Sequence, residues 1–321
     1  MFSYQWFQVG KPLFFYSHFV VICSFEFPLI TFKNMKKRYL LLVPFCFLLS
    51  FSSLFAQAKR TRAKADGPIS AVFKAPKLIV FNTTKNTDEN TLHMMIQHSF
   101  GPVESLDNYQ NLYGLDGSAN IRISLDYGIN DKFSIGLGRT KMDKAYDFRA
   151  KYTLAQQTRS GSVPFSISFD ATVGIITETK NDYSFSDRLF TGFSLPISRK
   201  FSEDFSILVY PSFAYFAKTD FIGAPYSKEQ LYVGLGLGSR YKISNRTVLT
   251  FESLPVYSNG IRLVLGAGIE METGSHVFQM FLTTSGYYTD PYMLRYASNM
   301  DKGILNYLRL GFNVNRLFWF E

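Results

Sequence analysis

Residues 119–140 read ANIRISLDYGINDKFSIGLGRT, and their alternation decides the fold. In the first half Ile121, Ile123, Leu125, Tyr127 and Ile129 fall on one side, and Arg122, Ser124, Asp126 and Gly128 on the other. After Asn130 and Asp131, the second half sets Phe133, Ile135 and Leu137 against Ser134, Gly136 and Gly138. Successive side chains of a strand point to opposite faces, so this period of two dictates long strands with one apolar and one polar face. The Asn-Asp pair between them is turn chemistry, so the stretch reads as a hairpin.

The same period extends in both directions. It begins at LHMMIQHSF (92–100) and continues through YDFRAKYTL (146–154), SVPFSISFDATVGII (162–176), DRLFTGFSLPIS (187–198) and FSILVYPSFAYF (205–216). It runs on through QLYVGLGLGSRYKI (230–243), RTVLTFESLPVY (246–257), IRLVLGAGIEM (261–271), HVFQMFLTTS (276–285) and ILNYLRLGFNVNRLF (304–318), giving twelve strands in all. One set of connections is tight, at 130–131, 202–204, 244–246 and 273–274, with a middling one near 158–162; the other includes 101–118, 178–186, 217–228 and 286–303. Short turns at one end and long loops at the other are the pattern of an outer-membrane barrel with its short end in the periplasm. The expected fold is a twelve-stranded antiparallel transmembrane β-barrel over 91–321.

A soluble barrel has the same period with the apolar face inward, and three features choose the membrane. The strands are long enough for a tilted span. Aromatics of the apolar face (Tyr127, Phe133, Phe205, Tyr241, Phe318) gather near the short turns, where an interfacial girdle lies. The opposite face is too polar and too small for a core. It carries the basic residues Arg122, Arg149, Lys151, Arg188, Arg240, Lys242, Arg262 and Arg309 and the acids Asp126, Asp170, Glu252 and Glu270, together with many glycines expected to relieve curvature inside a narrow barrel. Paired across strands, these lumen-facing charges fill the barrel; an unpaired basic surplus lines a pore that favours anions.

The N-terminus reads as an address. From Met35 the chain runs MKKRYLLLVPFCFLLSFSSLFAQ, with a basic start (Lys36, Lys37, Arg38), an apolar run and small residues ending at Ala56, so a secretory signal peptide at 35–56 is expected to be cleaved between Ala56 and Gln57. Residues 1–34 read as an N-terminal extension ahead of the true start, against the alternative of a membrane helix at 12–32. The whole chain has 321 residues, a net charge of +9 and 46% hydrophobic residues, which excludes a disordered chain or a disulfide miniprotein. Both cysteines, Cys23 and Cys46, lie in 1–56, so the exported part has no disulfide or thiolate-metal chemistry. Residues 57–90 are expected to be a periplasmic segment or a plug. Leu106, Tyr109, Leu112, Tyr113 and Leu115 suggest a short helix that caps or enters the mouth.

The stretches AVFKAPKLIVFNTT (71–84), NLYGLDGSANIRISLDYGINDKFSIGLGR (111–139), ISRKFSEDFSILVYPSF (197–213), GLGSRYKIS (236–244), GIEMETGSHVFQMFLTTS (268–285) and LRLGFNVNRLF (308–318) span nearly the whole exported part. In them the chain resembles the membrane-bound β-barrel domain family of unknown function found in outer membranes of Bacteroidota. The resemblance implies an outer-membrane barrel and supplies no catalytic residues. The family's barrels end on an aromatic residue read by the assembly machinery, whereas here Phe320 is followed by Glu321.

Sites for chemistry are sparse. GLGLG (234–238) sits inside a strand with no helix after it, so it is no phosphate loop. His93 and His98 differ by five and point to opposite faces of one strand, and the neighbours Ser275 and His276 likewise point apart. No cofactor, metal or catalytic residue is expected, and no basic cluster with stacking aromatics points to nucleic acid. The expected partners are outer-membrane lipid, the outer-membrane assembly machinery, a small solute and an unidentified periplasmic partner. The leading role is a small passive pore or transport-associated barrel; a non-catalytic scaffold and a lipid-modifying enzyme are the alternatives.

Overall fold

The computed structural model describes residues 67–69, 72–178, 183–218, 230–274 and 276–320. The signal segment, the Ala56–Gln57 junction, Ser275 and Glu321 lie outside them. Strands β1 (Thr91–Pro102), β2 (Asn120–Asn130), β3 (Phe133–Thr140), β4 (Tyr146–Ala155) and β5 (Ser166–Ile175) form a meander. Next come β6 (Leu189–Ser194), β7 (Ile197–Lys200), β8 (Phe205–Phe216), β9 (Leu231–Lys242) and β10 (Thr247–Ser258). The last three are β11 (Gly260–Thr273), β12 (His276–Thr283) and β13 (Arg309–Trp319).

Strands β6 and β7 are two halves of one stave. Both pair with β5 on one side and β8 on the other, with Leu195 and Pro196 between them. Pro196 has no N–H to give the ladder, yet its carbonyl still accepts from the Ser168 amide and Leu195 N–H donates to Pro211 O at 2.9 Å. The sheet therefore has twelve staves, and all pairings are antiparallel. First and last strands join at a seam running from Thr91↔Trp319 to Pro102↔Arg309, and β4 pairs with β5, so no edge is left open. Closure is what lipid demands, because no water is there to satisfy a free strand edge.

The outer face is an apolar belt: Leu125, Leu137, Leu235, Leu237 and Met280 stand between 44% and 64% exposed. A patch of that size needs a cover, and in a closed barrel the cover is lipid. Around the short-turn end aromatic pairs follow one another, Phe133 with Tyr152, Phe205 with Tyr241 and Tyr127 with Phe320, each with ring centroids 6.5 Å apart. The loop between β1 and β2 departs from the sequence expectation. Residues Asn108–Gly114 do form a short 3-10 turn, but Leu106, Tyr109 and Leu112 are 72%, 62% and 55% exposed, so it stands clear of the mouth.

Candidate functional site: a lumen closed from both ends

The inside of the barrel is occupied. Residues 72–87 turn into the lumen from the short-turn end as a hairpin, held by a Lys77↔Asn82 bridge, Thr83 N–H to Pro76 O at 2.8 Å and Leu78 N–H to Phe81 O at 3.0 Å. Its tip, Leu78-Ile79-Val80-Phe81, is at most 1% exposed. Burying each such side chain contributes about 1.5–3 kcal/mol relative to exposure. An irregular backbone inside a barrel must have its polar groups answered by the wall. Inward residues supply the answer: Gln279 Nε2 donates to the carbonyls of Lys77 and Leu78 at 2.9 and 2.8 Å, Asn313 Nδ2 to Ile79 O at 2.9 Å, and Lys151 Nζ to Thr83 O.

The tip's three free amides converge on one carboxylate. Ile79 N–H donates to Glu252 Oε1 at 2.7 Å, Phe81 N–H to Oε1 at 3.0 Å, and Val80 N–H to Oε2 at 3.0 Å and Oε1 at 3.2 Å. Successive amides turned to one side make a small anion-binding concavity. Glu252 is fully buried on β10, opposite Gly238 of β9 and Gly266 of β11, so the strands beside it put no side chain in the tip's way. The glycines thus have a second use besides curvature. A Cβ on Gly238 would stand 2.7 Å from Leu78 Cδ2, and one on Gly192 would stand 2.8 Å from Pro291 Cγ.

Pro291 belongs to the second insert. The β12–β13 connection folds down into the long-loop mouth and carries helix α1 (Asp290–Arg295), every residue of which is buried. The two inserts bond to each other: Lys77 Nζ donates to Tyr288 O at 3.0 Å, and Asn82 Nδ2 donates to Asp290 Oδ2 at 3.0 Å. Tyr210 ties both to the wall, stacking on Phe81 at 4.7 Å and donating its hydroxyl to Asp290 at 2.6 Å. At the rim, Tyr292 OH donates to Asp143 Oδ2 at 2.8 Å, and burial pushes the Asp143 carboxyl up.

The inward charges divide into a mid-barrel set and a rim set. At mid-barrel, Arg122 is fully buried and meets Asp147 at 2.7 Å, Arg149 meets Asp126 at 2.8 Å, Lys151 meets Asp170 at 3.4 Å, and Arg240 meets Glu270 at 3.4 Å. Toward the long-loop end, Arg262 donates to Arg295 O at 3.1 Å, and Arg309 opens β13 beside Gly286. Arg188 does not sit on a strand: Ser186–Arg188 form a 3-10 turn, and β6 starts only at Leu189. Lys242 closes β9 at the short-turn rim, half-buried. Asp147 shares the parity of Arg149 and Lys151, which is the signal that places it among the inward acids. His93 is buried, with Nε2 3.1 Å from Asn315 Oδ1, while His98 stacks on Phe312 at 5.0 Å on the outer face. Among the described residues, the cavities beside the hairpin include one of about 30 Å³ with Arg149, Lys151 and Asp170 in its lining and one of about 60 Å³ at the hairpin's base. Such volumes hold only a few water molecules, each needing about 10–15 Å³ by this measure.

A closed barrel, apolar outside and ionic within, with its lumen filled by its own chain, is a membrane-bound β-barrel. The model of the family described as Membrane bound beta barrel domain (DUF5777) matches residues 73–318, and the chain belongs to that family. The match begins at Phe73 and so takes in the hairpin as well as the staves. No curated protein sequence matches the chain. Similar solved structures include the NanC porin (7% identity, 72% of this chain and 100% of that one, TM-score 0.44) and the KdgM porin (8%, 72% and 99%, 0.42). Another is an outer membrane channel from Pseudomonas putida F1 (12% identity, 73% of this chain and 97% of that one, TM-score 0.44).

Proposed function

We propose that the protein is a gated, porin-like barrel of the outer membrane, closed by its own N-terminal hairpin and opened for a small water-soluble solute when that hairpin moves. The observation that carries this is the placement of residues 72–87 inside the lumen, where the tip amides hold Glu252. The hairpin and the wall residues bonded to it occupy the lumen, and the cavities of about 30 and 60 Å³ beside it are too small for a solute, so in this reading passage follows displacement of the hairpin. With four apolar tip residues buried, displacement needs an input of energy. The hairpin is preceded in sequence by residues 57–71, which carry Lys59, Arg60, Arg62 and Lys64, and within that stretch Pro68 bridges Thr158 of the β4–β5 turn at the short-turn end. A periplasmic partner gripping that basic segment is the natural source of the input.

In this reading the chain is exported by the signal at 35–56, cut between Ala56 and Gln57, inserted by the assembly machinery of a Bacteroidota outer membrane, and works in transport rather than catalysis. Planar-bilayer recording tests it. Phe81→Ala, which removes the ring stacked on Tyr210, should open in discrete steps far more often than the unaltered protein. Equal silence from both, in protein shown to be folded, would contradict gating. It would favour a scaffold instead, the reading to which the exposed Leu106 and Tyr109 of the β1–β2 loop lend support.

A further inference from the structure

The mid-barrel wall is balanced except at one place. Arg122, Arg149, Lys151 and Arg240 each have a carboxylate within 3.4 Å. Glu252 has no ion pair with a cation of the barrel wall: among the described residues its hydrogen-bond partners are the three hairpin amides, and the charge that acts on it is the ammonium of Lys77, which the hairpin itself brings. A buried carboxylate without donors is costly, so whatever replaces the hairpin at this position must bring donors or positive charge.

The surroundings define what fits. Glu252 stands between Gly238 and Gly266 on the adjacent strands, so with the hairpin gone it lies in a saddle to which those two strands add no side chain at its level, bounded by Leu208 on one side and Thr283 on the other. On β13, across Ile79 from Glu252, Asn313 is fully buried; its Nδ2 donates to Ile79 O and to Gln279 Oε1, and its Oδ1 has no donor among the described residues. A carboxylate on one side of Ile79 and an unanswered amide oxygen on the residue bonded to its other side ask for a ligand rich in N–H donors. A primary ammonium offers three donors and no acceptor, together with the missing charge. The hairpin imitates such a group: it presents N–H donors from its tip and carries its own buried ammonium, Lys77, behind them.

We infer that Glu252 is a solute-binding residue and that the solutes which pass the open barrel carry a primary ammonium, the hairpin tip being a built-in occupant of their site. This rests on the gating reading and deepens it by naming the solute class. It also reverses the anion preference that a basic surplus would give.

The test uses the full chain in planar bilayers, in the Phe81→Ala background, with a potassium chloride gradient and 1,4-diaminobutane as the probe. The open state should prefer potassium over chloride and be blocked by the diamine. Adding Glu252→Gln should bring the preference to near unity and weaken the block by at least about tenfold, the loss expected when one charge of a desolvated pair is removed. Glu252→Asp, which keeps the charge, should retain both properties and so separates loss of charge from loss of fold. Openings whose ion preference and diamine block are unchanged by Glu252→Gln would overturn the ammonium site and leave gating intact. Absence of openings in every variant would overturn both.

Discussion

Arg122 has 0% exposure inside a membrane protein, and that is tolerable only because its guanidinium is answered on three sides. Nε and Nη2 donate to the two oxygens of Asp147 at 3.2 and 2.7 Å, and Nη1 donates to Gln97 Oε1 at 3.0 Å. Removing one partner of such a pair strands the other charge. Arg122→Ala should therefore cost about 3–5 kcal/mol in urea unfolding from detergent, and the double change with Asp147→Ala should cost less than the two single losses added. Gly238 is the opposite kind of residue, valuable for what it lacks. Gly238→Ala puts a Cβ 2.7 Å from Leu78 Cδ2 and should destabilise hairpin docking by about 1–3 kcal/mol. Limited proteolysis would register this as faster cleavage within 72–87, with the staves still protected. The parity of the sequence puts Asp147 beside Arg149, so this part of the ionic lumen is legible from spacing alone. That Arg188 sits in a turn just ahead of β6 is not, because where a 3-10 turn gives way to a strand depends on its local hydrogen bonds.

At the scale of elements, alternation carries most of the information. Each strand of 119–140 has one face that must meet lipid and one that cannot, and β2 shows it: Leu125 is 45% exposed on the outside while Ser124 is 2% exposed within. A cysteine at Leu125 should resist a water-soluble thiol reagent in membranes and react once the protein is in detergent solution. A cysteine at Ser124 should be shielded from lipid-soluble quenchers, and free labelling of the Leu125 position in intact membranes would contradict the assigned phase. The hairpin is less legible for a physical reason. KAPKLIVFNTT (74–84) has no period, and its stability comes from Glu252, Gln279 and Asn313, more than 170 residues away along the chain. Local pattern records which face of a strand is wet. It does not record that the wet face will bind another part of the same chain. The loop at 106–115 failed the other way: its apolar residues have helical spacing, yet no wall is near enough to bury them.

For the whole molecule, the consequence is a barrel whose two ends meet inside. The hairpin rises from the short-turn end, α1 comes down from the long-loop end, and Lys77, Asn82, Tyr288 and Asp290 join them in the lumen. The ion pairs of the wall hold the staves, while the hairpin closes the space they enclose. Movement of the hairpin is thus the central claim, and one position suits a direct test. Thr84 Oγ1 of the hairpin lies 2.6 Å from Ser198 Oγ of β7, close enough for cysteines at these two positions to be joined. The exported part has no cysteine of its own, so the Thr84→Cys/Ser198→Cys protein should be recorded in one bilayer before and after a reductant, on the Phe81→Ala background. Silence while oxidised, followed by discrete openings on reduction, is the predicted result. The same conductance in both states, or silence in both, would contradict a hairpin that gates the barrel.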